Sequence, residues 1–255
     1  MAAVPVVAAG VGLRHGRGWA VRSASFRVNA PASANPLDEG LPVESGVTES
    51  TTVGIVIDHP AQASAIIDLL AGMARPAYGE LRVLGHDMST IRGRAAVRHR
   101  VGIARRNARA LPAMRVRKLV EHAAGLARPD RRNRHLLAAA ILDRLSLLPW
   151  AEVPVRLAPD PIARRARLAA AAVHQPDLLL LDGLLDGLEE RDIGALAEAI
   201  RDLGRDTGIV VAGRNGAALA LVCDEVLQLS GGVLASTSPE ERTSSGTGEI
   251  VAPLP

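Results

Sequence analysis

Any lysine-dependent chemistry in this chain runs through Lys118, the only lysine among its 30 basic side chains. It lies in RVRKLVEHAAGL, a helical pattern that places it at the surface. Cys223 is the only cysteine. An internal disulfide, a zinc ribbon and a CxxC redox pair are therefore excluded, and a reducing cytoplasmic setting fits. The arginines are concentrated: residues 92–134 carry 14 basic and 2 acidic groups, although the 255-residue chain nets only +3. That density suits phosphate, an anionic lipid surface or an acidic protein face, and equally a solvated helical face in an arginine-rich chain. Nucleic acid is disfavoured as a partner. Only Trp19, Phe26, Tyr78 and Trp150 are aromatic, and none interleaves the basic run as a base-stacking platform would.

The elements that must position these groups are short apolar runs alternating with helical patterns. VGIVI (53–57) precedes AQASAIIDLLAGM; ELRVLG (80–85) and VGIA (101–104) follow; LLLLD (178–182) precedes EERDIGALAEAIRDL, and GIVVAG (208–213) precedes GAALALVCDEV. Strand and helix in repetition predict a parallel sheet covered on both faces, with the unbroken Leu178–Leu181 run as a strand buried on both sides. Between 115 and 175 the pattern is helical throughout, and Leu136, Leu137, Ala140, Ile141, Leu145 and Leu148 form one predicted face. Segments 29–52 and the tail after Leu234 have no period and read as loose. With 48% apolar residues the chain buries a substantial core, which excludes disorder as its main state. No charge-free stretch reaches the ~18 residues that spanning a bilayer requires. The N-terminal MAAVPVVAAGVGLRHG lacks a positive start and reads as a first strand rather than a secretion signal.

Three segments, in order, carry a resemblance. LLAGMARPAYGELRVLGHDM (69–88), HQPDLLLLDGLLDGLEERDIGAL (174–196) and LVCDEVLQLSGGVLA (221–235) together resemble the nucleotide-binding subunit of ATP-binding-cassette (ABC) transporters. The resemblance implies a P-loop NTPase-like α/β fold with an antiparallel β subdomain and an inserted helical subdomain. It also places every part of an ATP site. A phosphate loop works because its glycines let successive amides converge on phosphate while a lysine neutralises charge. The aligned residues are IDHPAQASA (57–65), with Ile57, Pro60 and Gln62 at the glycine positions, Ala63 at the lysine and Ser64 retained. Asp182 is retained at the Mg²⁺-supporting carboxylate, whereas Gly183 stands at the catalytic glutamate and Arg214 at the switch histidine. Neither can act as a base. Arg106 replaces the loop glutamine, Glu189 the aspartate after "GL", and APDPI (158–162) the LSGGQ signature. There Asp160 is expected to cap a helix that opens at Pro161. His15 stands where the family carries an aromatic residue that stacks on adenine.

The resemblance thus leaves Ser64, Asp182 and His15 as residual cofactor-binding candidates, with Ser64 and Asp182 also the metal candidates. Two of them have a plainer structural role open: Ser64 as a helix cap, Asp182 as a turn cap. No catalytic residue is assigned and no cofactor is expected outright, ATP and Mg²⁺ being the only ones to consider. In the family, the basic segment faces the membrane-spanning subunit, so Arg105, Arg106, Arg109, Arg115 and Arg117 are expected at a permease or lipid interface. The expected organisation is one domain over 1–235. Its β portion covers about 4–28 and 78–90, an insertion 29–52, core-sheet segments 53–75, 101–104 and 173–235, a helical insertion about 107–172, and a tail follows over 236–255. The expected function is a non-hydrolysing, cytoplasmic, membrane-peripheral transporter subunit working with a permease and an intact ABC ATPase in a heterodimer. Two alternatives stand beside it: an ATPase whose unusual site a partner completes, and a soluble adaptor that binds an acidic partner through 92–134.

Overall fold

Four consecutive leucines form a strand only where apolar layers cover both faces. Leu178–Leu181 do so in the structure, a computed structural model that describes residues 5–15, 18–29, 52–106, 114–127 and 131–236. The expected loose stretches, apart from their edges at 29, 52, 235 and 236, lie outside the described residues. Along the chain come β1 (Val6–His15), β2 (Gly18–Val28), β3 (Thr52–Ile57), α1 (Pro60–Leu70), β4 (Tyr78–Val83), β5 (His86–Asp87), α2 (Ile91–Val97) and β6 (Val101–Arg105). Then follow α3 (Val116–Ala127), α4 (Arg131–Arg144), α5 (Asp160–Ala172), β7 (Leu178–Asp182), α6 (Glu190–Gly204), β8 (Gly208–Gly213), α7 (Gly216–Ala220), β9 (Glu225–Ser230) and β10 (Val233–Ser236).

Strands β9, β3, β8, β7 and β6 pair in parallel, in that order, as the strand–helix alternation predicts. β1, β2, β4 and β5 form the antiparallel portion. β10 returns antiparallel on β9 and meets β2 at Val233–Ser23, so the two portions make one ten-stranded sheet. Leu179 and Leu181 face the layer of α3, α4, α5 and α6, while Leu178 and Leu180 face α1 and the antiparallel strands. Gly102 lets α5 approach β6 closely, since a Cβ there would lie 2.1 Å from the Ala171 carbonyl oxygen. Among the described residues no helix is long and apolar enough to cross a membrane.

The predicted face of α4 needs correction. Ala138, Ile141, Leu142 and Leu145 are buried, whereas Leu136, Ala140 and Leu148 are exposed; Leu148 lies beyond the helix in a short 3₁₀ turn. The buried stripe is turned by about one residue from the predicted one, although Ile141 and Leu145 belong to both.

Candidate nucleotide-binding site

The C-terminal ends of β3, β6, β7 and β8 bring Ile57, Arg105, Asp182 and Gly213 to one edge of the sheet. In open parallel sheets this is the edge at which ligands bind. Here β3 passes to α1 through only Asp58 and His59, and Pro60 opens the helix with the φ that a first turn needs. No residue from 57 to 62 has positive φ, so the loop does not form the concave nest of amides that holds phosphate. The Gln62 side chain turns back instead: its Oε1 accepts the N–H groups of Asp58 at 3.2 Å and His59 at 3.0 Å. Ala63, at the family's lysine position, is fully buried among the apolar side chains of α1 and the antiparallel strands.

Ser64 and Asp182, 118 residues apart, meet. Ser64 Oγ donates to Asp182 Oδ2 at 2.8 Å, so the hydroxyl does not cap the helix. Arg105 lies beside Asp182 in strand register. Its Nη1 is 3.7 Å from the same Oδ2, and its Nη2 pairs with Asp68 on α1. Burial pushes the Asp182 carboxyl above its ordinary range; the Ser64 bond and Arg105 oppose this, while Asp68 and Asp186 add to it. Among the described residues no group of three His, Cys, Asp or Glu side chains is arranged to hold a metal. With the loop amides bonded to Gln62, no lysine, and Asp182 already engaged, these residues do not fit Mg²⁺-ATP in the manner the resemblance implies.

The positions around this centre are cross-linked to one another. Asp186, buried between two loops, accepts the Arg214 N–H at 2.8 Å, and Arg214 Nε lies 3.8 Å from its other oxygen. Gly183 has φ +63 and its N–H bonds the Ala212 carbonyl. At the signature position the expected cap is corrected. Pro159 is the N-cap residue, Asp160 is the first helical residue and Pro161 the second. Asp160 accepts from Arg164 Nε at 3.0 Å and also from Nη2, because residues i and i+4 share a helix face. Arg164 has no solvent exposure, and its Nη1 also donates to the carbonyls of Leu184 at 2.9 Å and Asp186 at 2.7 Å. The hydrogen bonding from Arg164 holds the Asp160 carboxyl below its ordinary range; burial opposes this, and the charges of Arg164, Arg106 and Arg167 add to it.

His15 ends β1 opposite Gly18; its ring lies outside the described residues. Of the five arginines expected at an interface, four lie among the described residues. Arg105 is turned into the site, Arg115 and Arg117 both bind Glu152, and Arg109 lies outside the described residues. The Arg106 guanidinium packs on Gly187, with Nη2 3.2 Å from where a Cβ would stand. Lys118 is exposed and pairs with Glu121. Cys223 sets its sulfur against Gly54, and burial, with Asp224 nearby, pushes its thiol up to about 12. Sequence reasoning missed Gln62, Arg164 and Asp186 as organising residues. Two left a local signal: glutamine at the third helical position is a capping-box sign, and Asp160–Arg164 is an i,i+4 pair. Beside β6 lies a cleft of about 560 Å³, lined by Val101, Ile103, Leu119 and Leu126 together with Arg98 and Arg167.

The profile of the ABC transporter family matches residues 44–185. The chain is 26% identical over 190 residues to a methionine import ATP-binding protein, MetN 2, of Burkholderia mallei, covering 73% of this chain and 48% of that one. It is 33% identical over 173 residues to the aliphatic sulfonates import ATP-binding protein SsuB of Burkholderia ambifaria, covering 66% and 50%. The chain thus spans about half the length of these relatives. The structure of cbiO1 from Clostridium perfringens, part of an ABC transporter complex, superposes with a TM-score of 0.74 at 14% identity, covering 91% of this chain and 87% of that one. With the profile covering more than half of the chain, the chain belongs to the ABC transporter family.

Proposed function

We propose that this chain is a non-hydrolysing ABC-type subunit that docks a membrane permease from the cytoplasmic side and works beside an intact ATPase subunit. The observation that carries the reading is the β3–α1 connection. Its amides of Asp58 and His59 are bonded to Gln62, and a buried alanine stands where a lysine would meet phosphate. Further support comes from Gly183 and Arg214, which supply no general base, and from relatives named as import ATP-binding proteins. Because two such chains together lack a complete ATP site, ATP-driven transport calls for a different second subunit. The cleft beside β6, apolar within and carrying Arg98 and Arg167, is the surface assigned to the permease.

Calorimetric titration of the purified chain with Mg²⁺-ATP, up to millimolar nucleotide, tests the reading. No heat of binding is expected. Micromolar affinity would overturn it and restore the ATPase alternative, in which the retained Ser64 and Asp182 serve a site that a partner completes.

A further inference from the structure

We infer that the Arg105 guanidinium stands in for a divalent cation, bridging Asp68 and Asp182 beside Ser64 so that this edge of the sheet is charge-balanced without metal. The inference rests on the proposal that the chain does not use Mg²⁺-ATP, and it supplies what that proposal leaves open. Asp182 has only 12% of its side chain exposed, and Asp68 on α1 faces the same place. Two carboxylates close together at a half-buried site repel unless one takes a proton or a positive charge stands between them. A metal ion is one solution. Here a side chain supplies the charge: Arg105 ends β6 directly beside the end of β7, and its fork reaches Asp68 with one nitrogen and Asp182 with the other.

Position and charge set the two solutions against each other. Asp182 Oδ2 accepts the Ser64 hydroxyl and is also the oxygen that Arg105 approaches. A Mg²⁺ ion held by Asp182, Asp68 and the Ser64 hydroxyl would occupy the place of the guanidinium, which sets its charge against Arg105 unless Arg105 swings away. Arginine stays protonated at every pH at which the protein folds, so this counter-charge is permanent. A chelator does not remove it.

Thermal unfolding of the full chain with and without millimolar Mg²⁺, in the absence of nucleotide, is the test. Wild-type Tm is expected to ignore Mg²⁺. Arg105→Met should lower Tm by about 5 °C and regain it when Mg²⁺ is added, and Arg105→Lys should hold Tm with no response. A wild-type Tm that rises with Mg²⁺, an unchanged Arg105→Met, or a loss that Mg²⁺ does not restore would each overturn the inference. Should Arg105→Met not fold, the double variant Arg105→Met/Asp182→Asn, which removes a carboxylate with its counter-charge, is expected to fold again; its failure also counts against the inference. With no nucleotide present, a wild-type response to Mg²⁺ sinks this inference alone. Heat on titration with Mg²⁺-ATP sinks the reading beneath it.

Discussion

Arg164 carries a full charge with no contact to solvent, and it is tolerated there because every face of its guanidinium in use meets an acceptor: the Asp160 carboxylate and two loop carbonyls. Truncating it leaves those acceptors without their donor. Arg164→Met is therefore expected to cost about 3 kcal/mol in urea unfolding at neutral pH. The pH dependence follows from Asp160. Because its carboxyl is held below the ordinary range in the folded state, its stabilisation is complete above the unfolded value of about 4 and is lost as pH falls through the lower folded value. Asp182 has the opposite sign, since burial raises it and acid relieves the cost of its charge. The gap in urea midpoint between wild type and Arg164→Met should thus narrow on acidification below about pH 4. A constant gap would mean that the two carbonyls, not the carboxylate, carry the interaction.

Helix α4 shows how far an element can be read from its sequence. That residues 131–144 form a helix is legible, because the segment has no glycine or proline and is rich in leucine and alanine. Which side it buries is not. Seven consecutive apolar residues, Leu136 to Leu142, offer nearly any face to the core, and the choice falls to α3 and α5, which pack against it. Leu142→Ala, at a fully buried position, should cost about 2–5 kcal/mol. Leu136→Ala, at a position two-thirds exposed, should change stability by no more than about 0.5 kcal/mol. Equal losses in chemical denaturation would restore the face that periodicity predicts. The β3–α1 connection is the complementary case. Its departure from a phosphate loop is legible in Pro60, Gln62 and Ala63, but the return of the Gln62 side chain onto two amides depends on a helix that starts as early as Pro60.

Across the whole molecule, the charge of the segment 92–134 is partly spent inside the protein. Arg100 binds Asp177, Arg105 binds Asp68, and Arg115 and Arg117 share Glu152. Among the described residues, Arg98 and Arg167 make no ion pair, and both line the cleft beside β6. If the chain docks a permease as proposed, charge reversal there, Arg98→Glu with Arg167→Glu, should weaken retention on membranes that carry it by about tenfold, and more at low salt than at high. Neutralising Arg115 and Arg117 to glutamine should have little effect; equal losses would move the docking face away from the cleft. The sequence by itself determined the family, the alternation of strands and helices, and which residue types stand at the aligned positions, because these depend on residue type and local spacing. Only the tertiary structure decided where the surviving groups go. Ser64, Asp68, Arg105 and Asp182 come together because β6 and β7 end, and α1 begins, at one edge of a parallel sheet, and Arg164 reaches the β7–α6 loop because α5 packs against it. Contacts between residues so far apart in the chain are set by register and packing, which no local pattern encodes.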